Sequence, residues 1–175
     1  MKRKIVFAFI LFLTALSALI GAGCTKSVLP KPETNLEFWI AENVDGVDFS
    51  AYTEKVGMFG GQRFYGTGYY PTVKDGEQTD PERCVLYTIT KYPDYSDKEQ
   101  CVTHIFITDP EIEFYGITLN SSFAEFEQKV KTRGFKITQS DEACRVAVNG
   151  GFSITFTKES ISINAAITNK HGLIF

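Results

Sequence analysis

Residues 122–134 read Ser122-Phe123-Ala124-Glu125-Phe126-Glu127-Gln128-Lys129-Val130-Lys131-Thr132-Arg133-Gly134. Ser122 and Glu125 have the spacing of a capping box, in which the serine oxygen and the carboxylate satisfy amides left unpaired at a helix start. Phe123, Phe126 and Val130 then share one face of a helical period. Lys129, Lys131 and Arg133 occupy the last turns, where cations suit the helix dipole. Gly134 supplies the left-handed stop. The pattern predicts a helix from Phe123 to Arg133.

Strands are expected on the C-terminal side of this helix. Phe135 to Thr138 is the first. Cys144, Val146 and Val148 alternate with Arg145, Ala147 and Asn149. Phe152, Ile154 and Phe156 alternate with Ser153, Thr155 and Thr157, and Ile161, Ile163, Ala165 and Ile167 with Ser162, Asn164, Ala166 and Thr168. Alternation of this kind means a sheet with one buried and one wet face. Asn149-Gly150-Gly151 signals a hairpin. A three-residue loop would set Val148 opposite Phe152 and place Cys144, Val146 and Val148 on the core face.

On the N-terminal side the same plan echoes. Leu36-Glu37-Phe38-Trp39 resembles Ile112-Glu113-Phe114-Tyr115, 76 residues later. Phe49, Tyr52, Val56 and Gly60 resemble Phe123, Phe126, Val130 and Gly134, 74 residues later. Asp48 can cap a helix from Phe49 to about Val56. Cys84 to Thr90 and Cys101 to Thr108 read as strands, and Asp109-Pro110 as a boundary. The expectation is an α+β fold of two tandem repeats, residues 36–109 and 110–170, each one helix packed on an antiparallel sheet of about four strands. Residues 171–175 form a tail. This order and repeat length resemble the tandem architecture of secreted β-lactamase inhibitor proteins, and of small envelope lipoproteins with helices on one face of such a sheet. No motif carries functional residues across from either, and inhibition is not implied.

The N-terminus states where the protein lives. Lys2, Arg3 and Lys4 precede an uncharged, mostly apolar run from Ile5 to Ile20, and Gly21-Ala22-Gly23-Cys24 follows. Residues 1–23 read as a secretory signal peptide, too short for a comfortable membrane span. The small residues ending in Cys24 resemble the bacterial lipobox, although Gly21 stands where that pattern usually has Leu. The resemblance implies a lipidated Cys24 and an envelope lipoprotein held at the cell membrane on its extracytoplasmic side. Residues 24–35, with Pro30 and Pro32 and no apolar period, read as the lipidated cysteine and a flexible tether. Loss of residues 1–23 removes three basic residues and lowers the net charge from −3 to −6. Attachment to an anionic leaflet then has to come from the lipid, and a nucleic-acid partner is excluded by the same charge.

No catalytic or cofactor motif emerges. His104 sits in a predicted strand on the face of Val102 and Phe106, without a neighbouring nucleophile in sequence. His171 falls in the tail. Cys84, Cys101 and Cys144 lack any CxxC spacing, and a Cys84–Cys101 bridge is left open. Asp94, Asp97 and Glu99 are too few, with Lys98 among them, for a calcium loop. The glycines from Gly57 to Gly68 lack the phosphate-loop pattern. No metal or cofactor is expected, and the protein is not read as an enzyme. What remains is tyrosine: Tyr65, Tyr69 and Tyr70 after the glycines, Tyr92 and Tyr95 in the loop from Lys91 to Gln100. Tyrosine buries large area at low entropic cost. These five are the candidate binding residues of a membrane-anchored, non-enzymatic protein- or peptide-binding module. The alternatives are a small envelope hydrolase or transferase using His104, and an accessory structural module of an envelope complex.

Overall fold

A computed structural model of the chain describes residues 29–56, 66–71, 83–91 and 100–165. For the strand residues 53–56, 66–71 and 90–91 it describes the backbone. The expected signal peptide 1–23, Cys24 and the tail 171–175 lie outside the described residues.

The elements are strands β1 (Tyr52–Val56), β2 (Gly66–Pro71), β3 (Val85–Lys91) and β4 (Gln100–Ile107), helix α1 (Phe123–Lys131), and strands β5 (Lys136–Ser140), β6 (Cys144–Asn149), β7 (Phe152–Thr157) and β8 (Ile161–Ala165). The strands form one antiparallel sheet in the order β1-β2-β3-β4-β8-β7-β6-β5. Each half is a meander, and the halves meet where β4 pairs with β8, Ile105 opposite Ile163.

The expectation of two helix-plus-sheet repeats is overturned, because one continuous sheet carries a single helix among the described residues. The Phe49–Val56 segment explains why. Asp48 Oδ1 accepts from the Ser50 amide at 2.9 Å, and the Tyr52 amide donates to the Phe49 carbonyl at 2.9 Å. That is one turn, and pairing with β2 then claims the backbone from Tyr52 onward. Three apolar positions at helical spacing could not outweigh a sheet edge that satisfies every second backbone group.

The helix itself forms as its sequence predicts. Ser122 accepts from the Glu125 amide, and Glu125 accepts from the Ser122 amide at 2.7 Å. Phe126 and Val130 are fully buried, and the Phe126 ring stacks on Phe156 at 4.9 Å. The helix ends at Lys131, with Thr132 as its cap and Gly134 at φ +83°.

The core lies between the sheet and a layer made of α1 and two irregular segments. Residues 36–40 bring Leu36, Phe38, Trp39 and Ile40 onto the buried face, with Phe38 edge-on to Tyr87 at 5.3 Å. Residues 111–117 bring Phe114 and Ile117, both fully buried. The two segments clasp each other. Trp39 contacts the Phe114 and Tyr115 rings at 6.1 and 5.8 Å. The Asn35 side chain donates to the Glu111 carbonyl and accepts from the Glu113 amide, each at 2.9 Å. The stretch read as tether is therefore held from Leu29 onward: Leu29 is buried, and its carbonyl accepts the Trp39 indole N–H at 3.1 Å.

Candidate binding face

Pairing register sorts the side chains of five adjacent strands, β3, β4, β8, β7 and β6, onto two faces. Tyr87, Ile105, Ile163, Ile154 and Ala147 are mutual partners across the sheet and are all buried beneath the covering layer. The next row reads Leu86, Phe106, Ser162, Thr155 and Val146. The row beyond reads Thr88, His104, Asn164, Ser153 and Val148. These ten point to the other side of the sheet. All are half-buried, and none is Asp, Glu, Lys or Arg. Leu86, Phe106, Val146 and Val148 stand outside the core cluster. Among the described residues no layer covers this face, and it sets apolar side chains among hydroxyls, with Lys136 opposite Val148 as its charged edge on β5.

Two departures from the expected register build this face. Gly150 and Gly151 make a two-residue hairpin loop, with Asn149 opposite Phe152 and Val148 opposite Ser153. The expected three-residue loop would have reversed the faces. Ala147, opposite Ile154, is the residue beneath the layer that includes α1, while Cys144, Val146 and Val148 lie on the open side. A small side chain suits the place where a helix crosses a sheet. The second departure is a bulge in β4. Ile89 pairs with Val102 and Thr88 with His104, which leaves Thr103 as the extra residue. Val102 stays buried, and His104 and Phe106 pass to the open face, so His104 does not share the face of Val102. A bulge is the one local device that changes which face the following side chains occupy.

On that face His104 meets a partner that the sequence did not bring near it. Its Nε2 lies 2.8 Å from Ser162 Oγ, and the Asn164 amide donates to the same hydroxyl at 3.2 Å. The Phe106 ring is 6.4 Å away. Burial pushes the His104 pKa below its ordinary 6.5, so the imidazole is neutral at neutral pH and can accept a proton. Ser162 and Asn164 were legible as the polar set of the last strand. Their juxtaposition with His104 needs β4 and β8 to be neighbours, and no local pattern encodes that.

Of the expected binding tyrosines, Tyr65, Tyr92 and Tyr95 lie outside the described residues. Tyr69 and Tyr70 are in β2, at register positions opposite Tyr87 and Thr53. Asp94, Asp97, Glu99 and His171 also lie outside them. No disulfide joins Cys84, Cys101 and Cys144. The Cys84 thiol is 3.4 Å from the Thr108 hydroxyl. Among the described residues no three His, Cys, Asp or Glu side chains converge on a metal-sized position, and no helix is long and apolar enough to cross a membrane.

The covered side of the molecule carries a groove of about 480 Å³, lined by Pro30, Lys31, Pro32, Glu33, Glu113, Tyr115, Gly116 and Arg133. Tyr115 and Gly116 are the two central residues of a tight turn, with φ +53° and +72°, closed by reciprocal hydrogen bonds between Phe114 and Ile117. The Arg133 guanidinium rests over the Tyr115 ring at 5.3 Å, and the Lys129 ammonium caps the Gly116 carbonyl.

Comparison of the chain with protein-family models, with curated proteins and with solved structures finds no match.

Proposed function

We propose that this protein is an envelope lipoprotein, anchored through Cys24, that binds a protein or peptide partner on its open sheet face. The observation that supports binding is the face itself. Leu86, Phe106, Val146 and Val148 lie half-exposed on the sheet, and the one charged side chain among their described row partners is Lys136, opposite Val148 at the β5 edge. Charge-poor apolar surface of this kind is what interface cores use. Tyr92 and Tyr95, in the segment that joins β3 to β4 and outside the described residues, remain candidate binding residues in the same reading. Its test is photo-crosslinking in the native envelope, with the reactive group at Phe106 or Val146 and, as control, at Glu125 on the exposed side of α1. One discrete adduct from the open face, abolished by Val148→Glu without loss of thermal stability, supports the proposal. Adducts from Glu125 alone overturn it.

One observation favours a second reading, a small hydrolase. The Ser162 hydroxyl within 2.8 Å of a neutral imidazole is the pairing of a nucleophile with its base. The Asn164 amide beside the pair donates to Ser162 Oγ and not to the second imidazole nitrogen, where a triad sets the carboxylate that orients the base. Labelling by a fluorophosphonate probe, lost in Ser162→Ala and in His104→Ala, would establish the hydrolase. Absence of labelling leaves the pair as a polar bridge between β4 and β8.

A further inference from the structure

We infer that the grooved, covered side of the molecule rests against the lipid bilayer and that the open sheet face is turned away from it. The inference rests on the anchoring of Cys24 proposed above. Its own basis is the length of chain before the fold begins. Leu29 is buried and hydrogen-bonded to Trp39, and Pro30 to Glu33 continue as a wall of the groove. Five peptide units separate Cys24 from Leu29. Fully extended, they span at most about 18 Å. A lipid on Cys24 therefore holds Leu29 within that distance of the membrane surface. Leu29 belongs to the covering layer, its carbonyl bonded to the Trp39 indole and about 10 Å from the sheet, so the short link starts from the grooved side of the molecule.

The chemistry of the groove suits that neighbour. Its rim carries two cations, Lys31, which also bonds the Glu37 carbonyl and Glu42, and Arg133, and two carboxylates, Glu33 and Glu113. Equal numbers of opposite charges match a zwitterionic headgroup, ammonium to carboxylate and phosphate to guanidinium. Tyr115, beneath Arg133, is a residue type favoured at membrane interfaces. The chain after residue 23 carries a net charge of −6, and the balanced charges of the groove add no net repulsion toward an anionic leaflet.

The test uses the full acylated chain in vesicles of phosphatidylethanolamine with a minority of phosphatidylglycerol. A click-attached donor fluorophore is placed at Glu113, in the groove, or at Thr155, on the open face. Acceptors are on the lipid headgroups. Transfer should be at least about twofold greater from Glu113, because the two positions face opposite ways across layers about 10 Å apart. A Gly-Ser linker of about 20 residues inserted after Lys26 should abolish the difference while the protein stays vesicle-bound. Equal or greater transfer from Thr155, with mass spectrometry showing acyl chains on Cys24, overturns the orientation and leaves the anchor standing. A mature chain without acyl chains overturns both.

Discussion

The guanidinium carbon of Arg145 stands 4.3 Å from the centre of the Phe123 ring, joining the start of β6 to the first turn of α1. Its Nε donates to Glu127 Oε1 at 2.8 Å, and Phe123 in turn meets Phe156 edge-on at 5.7 Å. Helix and sheet are thus clamped by a flat cation between a ring and a carboxylate. Arg145→Ala should lower unfolding free energy by about 1–2 kcal/mol. Arg145→Lys should recover little of it, since an ammonium cannot stack. Urea denaturation of the three proteins, with unchanged m values, is the measurement.

Ala147 and Val148 test the register of the Gly150-Gly151 hairpin. Ala147 is fully buried on the helix side, and Val148 is half-buried on the open side. Ala147→Val should overpack the core and cost about 1–3 kcal/mol. Val148→Thr should change stability by less than about 0.5 kcal/mol. The reverse ranking in thermal melts would restore the three-residue loop.

His104 makes stability depend on pH. Burial lowers its pKa from 6.5, so the folded state prefers the neutral ring. The groups that face it, Ser162, Asn164, Thr88 and Phe106, do not titrate near this range. The stabilisation is present above pH 6.5 and is lost as pH falls through the lowered value. Melting temperature should therefore drop between pH 7.5 and pH 5, and His104→Gln should flatten that part of the curve.

Gly134 adopts φ +83°, and a Cβ there would lie 3.5 Å from the Asn149 side-chain amide, an ordinary contact. The cost of Gly134→Ala is then conformational, about 1 kcal/mol. Gly134→Asn should cost less, because asparagine tolerates the left-handed region. Chemical denaturation ranks the two.

What the sequence disclosed follows the range of each signal. The Ser122–Glu125 box and Gly134 act within a few residues, and the helix they delimit is where they put it. The alternation of Phe152 to Phe156 and of Ile161 to Ala165 likewise survives, because both strands have one buried face. For Cys144 to Asn149 alternation offers two faces without saying which is covered; the helix crossing above selected Ala147. At His104 a single extra residue, Thr103, reversed an otherwise sound face assignment. At Phe49 to Val56 a genuine cap at Asp48 started a turn that pairing with a distant strand then overrode. The open face was visible only as polar residues between apolar ones. Its assembly depends on β4 lying beside β8, 60 residues away at His104 and Asn164.

That seam has a kinetic consequence. The strand that closes the middle of the sheet is the last one described in chain order. Until β8 arrives, the Ile105–Ile107 stretch of β4 has backbone groups waiting for a partner, while residues 41–44 already occupy the stretch from Gln100 to Val102. The two meanders can each zip up from local turns, but neither can be sealed before synthesis has passed Ala165. Folding should therefore be limited by one late, long-range closure, the kind of step that contact order makes slow. A chain cut before Ile161 would present a raw central strand edge, the feature that invites one molecule to pair with the next.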